Sequence, residues 1–554
     1  MSPLQNLAHF FAVVTAIATL PALSLHAATA TVTITGEIVD AATGQPVAAR
    51  LYLRNAVGDW FFADSLSAEG TAIRYAKTNR LNPKSQEHHT TLSAHPFRAE
   101  LPPGPYTVTV ERGKEYFPLE ISLTVPAATA VPVTPAPLRL ELTRWVDMAT
   151  HRWFSGDGHV HRSLAELPTL MLAEDLNVAL PQTYWAIQAF TPPNQSPKNG
   201  TQAIPAQLIR VDATHVIWPR NTEYEIYRFG AATHNLGGVF ILNHQELFTQ
   251  GAPPMRPIAE AAHRQGALLD MDKHDWTWSL MIVPVMKIDL FELANNHLWR
   301  TEFGITSFHQ PAPSYMNLPN RGESGDERDW INYGFESYYT FLNCGFRLRP
   351  TAGSASGVHP VPLGFGRVYV HCADGFSYDA WIKGLGAGRS FVTTGPMLLA
   401  KINGDVPGGV FPLRTGETAR VPVAGTLLSE HPVPTLEVLV NGEVAARLTA
   451  IPRRTPAGAW QTEFSGQVDV SGTSWVAVRC WEDRAGGRVR FAHTAPAWFE
   501  VPGADIAPRR SEIASVIGRL QQQIERNQKI LPAPALEEYR EALATYEAIA
   551  RRAR

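Results

Sequence analysis

Two histidines in the segment Gly156-Asp157-Gly158-His159-Val160-His161 have the spacing of a metal-binding pair. In an extended backbone alternate side chains share a face, so Asp157, His159 and His161 would project together. Two imidazoles placed in this way can each offer a ring nitrogen to one ion. The flanking glycines are expected to let the chain turn tightly and to leave room for the ion. A polar strand end has the same pattern, so the prediction depends on what else converges on it.

Further polar side chains follow segments that are predicted strands. They are His244 and Glu246 after 238–243, Asp272 and His274 after 267–271, and His297 after 288–293. Glu223 and His234 are placed in connections between strands. Chemistry in parallel α/β folds gathers where the strands end. We therefore expect one end of a barrel to bring these side chains to His159 and His161, which predicts a metal site.

The elements that must position these residues lie between about 148 and 397, where strand and helix patterns alternate. Strands are predicted at 177–181, 216–218, 238–243, 267–271, 288–293 and 367–371, and helices at 256–265, 329–342 and 378–385. Short apolar strands separated by helices indicate a parallel α/β sheet or barrel.

The flanking regions have different patterns. Residues 31–147 contain short alternating strands punctuated by Gly and Pro, which predicts a small β-sandwich, with a stiff Pro/Ala linker at 125–137. Residues 398–503 predict a second β-sandwich. Residues 504–554 predict a helical hairpin, whose apolar stripes are expected to dock on the same chain, with a dimer contact as the alternative.

Composition narrows the class of protein. The chain has 554 residues, which predicts several domains, and 45% of them are hydrophobic. Its formal net charge of −3 gives no basic surplus, so neither nucleic acid nor an anionic membrane surface is expected as a partner. The three cysteines Cys344, Cys372 and Cys480 are too few and too scattered for a disulfide framework, and are expected to be small buried hydrophobes.

Residues 1–30 resemble a cleaved export signal. They carry no charged side chain, and an apolar run at 10–25 precedes an alanine-rich stretch. The missing positive charge leaves an uncleaved anchor or a misassigned start codon as alternatives. We expect a periplasmic or secreted protein with no membrane span after cleavage.

The motif at 156–161 resembles the opening motif of the PHP (polymerase and histidinol phosphatase) superfamily, in particular its carbaryl-hydrolase-type (CehA/McbA-like) branch. The segments 234–238, with His-Asn-Leu-Gly-Gly, and 385–396, which ends Ser-Phe-Val-Thr-Thr-Gly-Pro, are similar to further motifs of that branch. Residues 36–47 and 101–106 similarly resemble carboxypeptidase-regulatory-like sandwich modules. The resemblance implies a distorted (β/α)7 barrel, flanked here by the two sandwiches and the helical hairpin, that binds divalent ions. The ligands it implies are His159, His161, Glu223, His234 and His274, and Glu225 lies on the same strand face as Glu223.

Two segments depart from the family pattern. Gln182-Thr183-Tyr184-Trp185 stands where many relatives have Thr-Asp-His, and Gly353-Ser354-Ala355-Ser356-Gly357 lacks the usual Asp and His. These losses predict one ion, or a pair bridged by Glu223, rather than three. Zinc, manganese and iron all suit histidine and oxygen ligands.

The resulting hypothesis is an exported metal-dependent hydrolase that uses a metal-activated water on a small ester, amide, carbamate or phosphoester. Asp272 and His297 are the candidate acid–base groups, with His244 or Glu246 as substitutes. The alternatives are a catalytically weakened relative that binds carbohydrate or a cell-surface polymer, and an envelope protein with an accidental histidine cluster. The sequence leaves the substrate and the oligomeric state open.

Overall fold

The computed structural model describes residues 31–127, 135–272, 276, 278–305, 307–316, 318 and 326–554. The predicted signal at 1–30, most of the predicted linker and the predicted ligand His274 lie outside these residues. Short 3₁₀ helices occur at Met148–His151, Pro197–Asn199 and Ala485–Gly487. Within the described residues, no helix is both long enough and apolar enough to cross a membrane.

The N-terminal region is a sandwich of two sheets over one apolar core. Its strands are β1 (Val32–Asp40), β2 (Ala49–Asn55), β3 (Trp60–Phe61), β4 (Asp64–Ser65), β5 (Ala72–Thr78), β6 (Gln86–Leu92), β7 (Phe97–Leu101), β8 (Gly104–Glu111), β9 (Leu119–Val125) and β10 (Leu138–Leu142). One sheet has the order β10-β1-β7-β4 and the other β5-β6-β2-β8-β9. In β7 and β8 buried and exposed residues alternate, as strands with one core-facing side require.

The central region mixes strands and helices. Its elements are β11 (Trp153–Val160), α1 (Leu167–Glu174), β12 (Val178–Pro181), β13 (Tyr184–Gln188), β14 (Asn194–Gln195), β15 (Ile209–Arg210), β16 (Val216–Ile217), β17 (Thr222–Phe229), β18 (Ala232–Leu242), α2 (Arg256–Arg264), β19 (Leu268–Met271), α3 (Ser279–Met286), β20 (Leu290–Ala294), α4 (Glu327–Asn343), β21 (Arg349–Ala352), β22 (Arg367–His371), α5 (Tyr378–Gly386) and β23 (Ser390–Thr393). The Asp326 carboxylate caps α4 and the Ser377 hydroxyl caps α5, each accepting backbone N–H groups of the first turn.

One sheet of this region has the order β14-β13-β17-β18-β19-β20-β21. Backbone hydrogen bonds link β11, which belongs to another sheet, to the segment before β13 and to the segment after β21. On one side, Gln182 between β12 and β13 donates its backbone N–H to Val160. On the other, the chain after β21 returns to β11, because Ala355 N–H donates to His159 O and His161 N–H to Ser356 O, at 2.7 and 2.9 Å. The end of β11 therefore faces the inner side of this sheet.

The prediction of a parallel α/β sheet or barrel is wrong for part of this sheet. β17 and β18 form an antiparallel hairpin and β18 is antiparallel to β19, whereas β20 is parallel to both β19 and β21. Only two residues join β17 to β18, and a connection that short can join antiparallel strands only. Glu223 and His234, which the sequence places in connections, consequently lie within these two strands.

The C-terminal region continues a sheet of the central region. Its elements are β24 (Met397–Ile402), β25 (Val410–Pro412), β26 (Thr418–Ser429), β27 (Thr435–Val440), β28 (Glu443–Thr449), β29 (Arg453–Arg454), β30 (Trp460–Ser471), β31 (Ser474–Asp483), β32 (Val489–Thr494), β33 (Ala497–Glu500), α6 (Arg510–Asn527) and α7 (Ala533–Ala550). β23 pairs with β32, so one twelve-stranded sheet crosses the boundary expected at 397. A four-stranded sheet, β24-β26-β30-β29, packs against it over a shared core.

The helical hairpin α6–α7 docks on the central region of the same chain. The Glu538 carboxylate accepts the backbone N–H groups of Met255 and Arg256 at the start of α2, and Tyr546 donates to the Leu280 carbonyl at 2.9 Å. The N-terminus of a helix favours a negative group, so this contact stabilises α2 and the hairpin together. The three cysteines are buried free thiols, as predicted, and burial raises the pKa of Cys372 to about 11.

A buried histidine connects α4 to the shared sheet. His493 of β32 must donate its Nδ1–H to the Thr494 carbonyl at 2.7 Å, which leaves Nε2 to accept from the Tyr339 hydroxyl of α4 at 2.8 Å. A proton on Nε2 would remove that acceptor. Burial lowers the pKa of His493 to about 3, so the ring stays neutral in the folded protein.

We therefore predict that His493 destabilises the fold as the pH falls. Below a pH of about 6.5 the unfolded chain binds a proton that the folded protein excludes, which costs about 1.4 kcal/mol per pH unit. Relative to His493→Gln, the wild-type free energy of unfolding should fall by that amount per unit between pH 6 and 4, as measured by urea titration. The exposed His151→Gln is the control, and equal pH slopes for wild type and His493→Gln would contradict the assignment.

Candidate metal centre

The inner face of the seven-stranded sheet carries a row of acidic side chains. Glu223 of β17 pairs with Phe240, and Phe240 pairs with Asp270 of β19. Directly paired residues lie on the same face of a sheet, and so do residues two apart in one strand. Glu225 and Asp272 therefore share this face with Glu223 and Asp270. Strand pairing thus gathers carboxylates that are up to 49 residues apart in sequence.

The two histidines of β11 reach into the same space. His159 Nε2 lies 3.1 Å from His161 Nε2, and His161 Nε2 lies 3.4 Å from Glu223 Oε2. On the other side of its ring, His159 Nδ1 lies 3.1 Å from Glu292 Oε2 and 3.8 Å from Asp272 Oδ1. These five side chains are at most 6% exposed.

Three groups of these side chains bring their ligand atoms within 4.8 Å of one another. The groups are His159, His161 and Glu223; His159, Asp272 and Glu292; and Glu223, Glu225 and Asp272. Two ligand atoms that each lie about 2.1 Å from one tetrahedral ion are roughly 3.4 Å apart. The separations of 3.1 and 3.4 Å in the first group match that requirement. Buried imidazoles and carboxylates are therefore positioned to bind a metal ion.

The backbone around the histidines is clamped by Asp157. Its carboxylate accepts hydrogen bonds from the His159 backbone N–H, from the backbone and hydroxyl of Ser354, and from the Gly364 N–H. Burial raises the pKa of Asp157 to about 6, although these hydrogen bonds oppose the shift. The Asp157 carboxylate thus accepts hydrogen bonds from both β11 and the segment after β21, and these bonds hold the two in register.

Two glycines are required by packing. A Cβ atom at Gly156 would lie 2.2 Å from the Trp381 ring, so this glycine admits the tryptophan. It has no left-handed φ, and neither does Gly158, so the expected tight turn is absent at both. At Gly353 a Cβ atom would lie 2.3 Å from the His159 Cβ and 2.7 Å from the Glu292 carboxyl carbon. Gly353 is thus the residue that makes room for the cluster.

Asp270 lies on the same face of the sheet as the carboxylates of the cluster. It is fully buried, its Oδ2 accepts the Thr351 hydroxyl at 2.7 Å, and it lies against Gly158. Burial raises its pKa well above the usual value for an aspartate. The hydrogen bond from Thr351 lowers that pKa but does not offset the burial.

Aromatic rings cover the histidines. Phe240 lies 4.3 Å from the His159 ring and Trp185 lies 5.1 Å from the His161 ring, centroid to centroid. Lys198, from the loop after β14, donates to the carbonyls of His161 and Gly357 at 2.5 and 2.8 Å. Burial lowers the pKa of Lys198 to about 8. Two aromatic rings therefore shield the histidines, and the Lys198 ammonium group lies beside the backbone of His161.

The predicted ligands have different outcomes. His159, His161 and Glu223 meet in one group, and His274 lies outside the described residues. His234 is remote from them, because its Nε2 contacts Asn527 Oδ1 of α6 at 2.7 Å. It lies six residues along β18 from Phe240, roughly 15–20 Å at about 3.3 Å per residue. Placing His234 with the ligands was wrong, since β18 begins at Ala232 rather than near 238.

The two predicted acid–base groups, Asp272 and His297, have different surroundings in the structure. Asp272 belongs to two of the three groups, which places it among the ligand atoms. His297 follows β20 and packs its ring against Trp330 and His359, at 5.2 and 5.9 Å between centroids. His244 contacts the Thr222 hydroxyl and the Glu246 carbonyl, and burial lowers its pKa to about 4.

Sequence reasoning missed Glu292 and Asp270. Both are acidic residues inside short apolar strands, Leu290–Ala294 and Leu268–Met271, where an ionisable side chain is expensive unless it has a polar or charged partner. The signal that could have identified both residues is therefore an acidic side chain within a short apolar strand, and the sequence contains it.

Comparisons of the chain with protein-family models, with curated proteins and with solved structures each returned no match. The resemblance to the PHP superfamily therefore stays a prediction.

The close contact at Gly353 generates a test. Gly353→Ala should displace His159 and Glu292 and lower the affinity for Zn²⁺ by about 10–100-fold, the usual effect of disturbing groups that orient metal ligands. Competition with a chromophoric chelator measures this affinity. Gly518→Ala in α6, where a Cβ atom meets no neighbour within 4 Å, is the matched control. An unchanged affinity in Gly353→Ala would contradict the proposed location of the site.

Proposed function

We propose that this protein is a metal-dependent hydrolase that acts on a small ester, amide, carbamate or phosphoester. The observation that carries the proposal is the convergence of five side chains that lie in, or directly after, the four strands β11, β17, β19 and β20: His159, His161, Glu223, Asp272 and Glu292. A surface cluster of polar residues would not require strand pairing, a clamped backbone and a glycine to form.

The three groups of ligand atoms are suited to bind one or two divalent ions. The group of His159, His161 and Glu223 offers two nitrogens and one oxygen, and the group of His159, Asp272 and Glu292 offers one nitrogen and two oxygens. The third group, Glu223, Glu225 and Asp272, has one carboxylate in common with each of these two groups. Two neighbouring ions would therefore share carboxylate ligands, in line with the expected bridging by Glu223. Mixed nitrogen and oxygen ligands suit zinc, manganese and iron.

A bound divalent ion would lower the pKa of a coordinated water towards about 7 and polarise the bond under attack. The chain's own residues would do the rest. Phe240 and Trp185 exclude bulk water from the histidines, and Asp157 keeps their backbone in place. His297, which follows the strand of Glu292, is the candidate to hold and move the proton that the leaving group requires.

We further propose that the central region is a PHP-like barrel, and the order of its elements supports this. Seven elements surround the cluster in order: β11, the β12–β13 segment, β17, β18, β19, β20 and β21. Hydrogen bonds from Gln182 on one side and from Ala355 and His161 on the other connect the ends of this series. Export to the periplasm or the medium is part of the same proposal and depends on the predicted signal at 1–30.

A second candidate, a binding protein without turnover, is favoured by the segment after β21. Ala355 and Gly357 stand where the resemblance implies an Asp and a His. The neighbouring Ser354 and Ser356 bond to Asp157, to Arg162 and to the backbone at the end of β11. This segment therefore clamps the histidines and contributes no carboxylate or imidazole of its own.

Metal content and turnover distinguish these candidates. Wild-type protein should bind metal stoichiometrically and hydrolyse at least one member of a panel of chromogenic esters, carbamates and phosphoesters, with activity lost on chelation. His161→Ala should lower metal affinity and activity at least about 100-fold, since even groups that only orient ligands are worth 10–100-fold.

His234→Ala is the matched control, because the family resemblance implies the same role for this histidine, whereas its ring contacts Asn527 of α6. Its metal content should equal that of the wild type. Activity that survives complete metal removal would overturn the hydrolase proposal. Stoichiometric metal without turnover on any substrate would favour the binding protein.

A further inference from the structure

A second polar cavity lies where the two sandwiches meet the central region, and it shares no residue with the metal centre. Its volume is about 210 Å³. Five cationic side chains line it, together with three glutamates: Arg50, Lys114, Arg300, Arg484 and Arg490, and Glu111, Glu174 and Glu430. The cations thus outnumber the acids in the wall.

Three of the arginines have carboxylate partners. Arg50 pairs with Glu111 and Glu174 at 2.8 and 2.9 Å, and Arg300 shares Glu111 at 3.0 Å. Arg484 pairs with Glu430 at 3.0 Å. These pairs fix the side chains that form the walls and use up the acids of the cavity.

Lys114 and Arg490 are not neutralised in this way. The Lys114 ammonium donates to the Thr394 carbonyl at 3.0 Å and lies 4.0 Å from the centre of the Phe365 ring, and it makes no ion pair within the described residues. Arg490 lies over the same ring at 5.0 Å, and its nearest carboxylate oxygen, from Glu327, is 3.8 Å away. Two positive groups therefore share one aromatic ring with little compensation.

The electrostatics of both groups agree with this geometry. Burial, followed by repulsion from Arg490 and Arg367, lowers the pKa of Lys114 well below its ordinary value. Burial also lowers the pKa of Arg490 to about 10, although Glu327 opposes the shift. Burial and neighbouring cations therefore outweigh the attraction of Glu430 for Lys114 and of Glu327 for Arg490.

The Arg50 side chain adds an unused donor. Arg50 is 4% exposed, and its Nη1 is buried without a hydrogen-bond partner, while its other two nitrogens face Glu111 and Glu174. Leaving such a donor unsatisfied is costly. Within the described part of the chain, Arg50 thus provides an unpaired donor, Lys114 a cation without an ion pair, and Arg490 a cation whose ion pair with Glu327 is long, all around one cavity.

We propose that this cavity binds a tetrahedral oxyanion, either inorganic phosphate or the phosphate group of a monoester. A dianion would balance the charges of Lys114 and Arg490, and its oxygens suit guanidinium and ammonium donors. The cavity is several times the roughly 30 Å³ that one water occupies, which leaves space for a small organic group beside the phosphate. Because all three regions of the chain contribute to the wall, the ligand would hold them together.

Calorimetric titration of the full chain with inorganic phosphate tests the proposal, and phenyl phosphate in a parallel arm tests whether the cavity accepts an ester. Chelator-treated protein is used in both arms, so that phosphate cannot bind through a metal ion. We expect saturable one-to-one binding and a higher melting temperature with ligand. Tighter binding of phenyl phosphate than of phosphate would identify the monoester as the preferred form.

Lys114→Met should weaken binding by about tenfold or more, because it removes a charge-assisted contact worth at least about 1.4 kcal/mol. Removing this cation orphans no carboxylate, so the fold should tolerate the change. Lys114→Arg should retain binding. Arg490→Met provides a second loss variant, and the exposed Lys529→Met is the charge-matched control.

Absence of saturable phosphate binding in the wild type would overturn the proposal. Equal affinities for wild type, Lys114→Met and Arg490→Met would also overturn it, because phosphate would then be bound elsewhere. These outcomes are independent of the metal experiments above, so either proposal can fail while the other stands.

Discussion

The central constraint on this structure is the close approach of buried carboxylates and imidazoles. Glu223, Glu225 and Asp272 bring oxygens within 4.8 Å of one another, and the His159 and His161 Nε2 atoms approach to 3.1 Å. Like charges at such distances in a buried setting oppose ionisation and raise the free energy of the folded protein. A divalent cation shared among these groups would replace the repulsion between them by attraction to the ion, and the groups are positioned to bind one.

Much of the surrounding structure follows from holding these groups in place. Strand pairing sets Glu223, Asp272 and Glu292 on one face, and the segment after β21 bonds to the backbone of both histidines. Gly353 provides the space that the cluster needs. Elements far from the cluster support this geometry, since the shared twelve-stranded sheet includes β11 and the helical hairpin caps the start of α2.

The sequence predicts a protein rich in β-sheet, as the structure shows, because alternation along a strand with one buried face is a local pattern. It also predicts His159 and His161, because their spacing in one strand is local. The predicted position of His234 is wrong, because no pattern in residues 232–237 shows that β18 already begins at Ala232. His234 therefore lies near the turn of the β17–β18 hairpin, away from the cluster. Glu292 and Asp270 are missed because their role depends on which strands pair, and pairing depends on contacts between distant residues. The continuity of β23 with β32 is hidden for the same reason.

The most direct test of the account is an anomalous-scattering experiment on crystals of the full chain grown with Zn²⁺ or Mn²⁺ and measured at the absorption edge of that metal. The account predicts one or two strong peaks enclosed by His159, His161 and Glu223 and extending towards Asp272 and Glu292. A cluster without any anomalous peak, in crystals of metal-loaded protein, would contradict it.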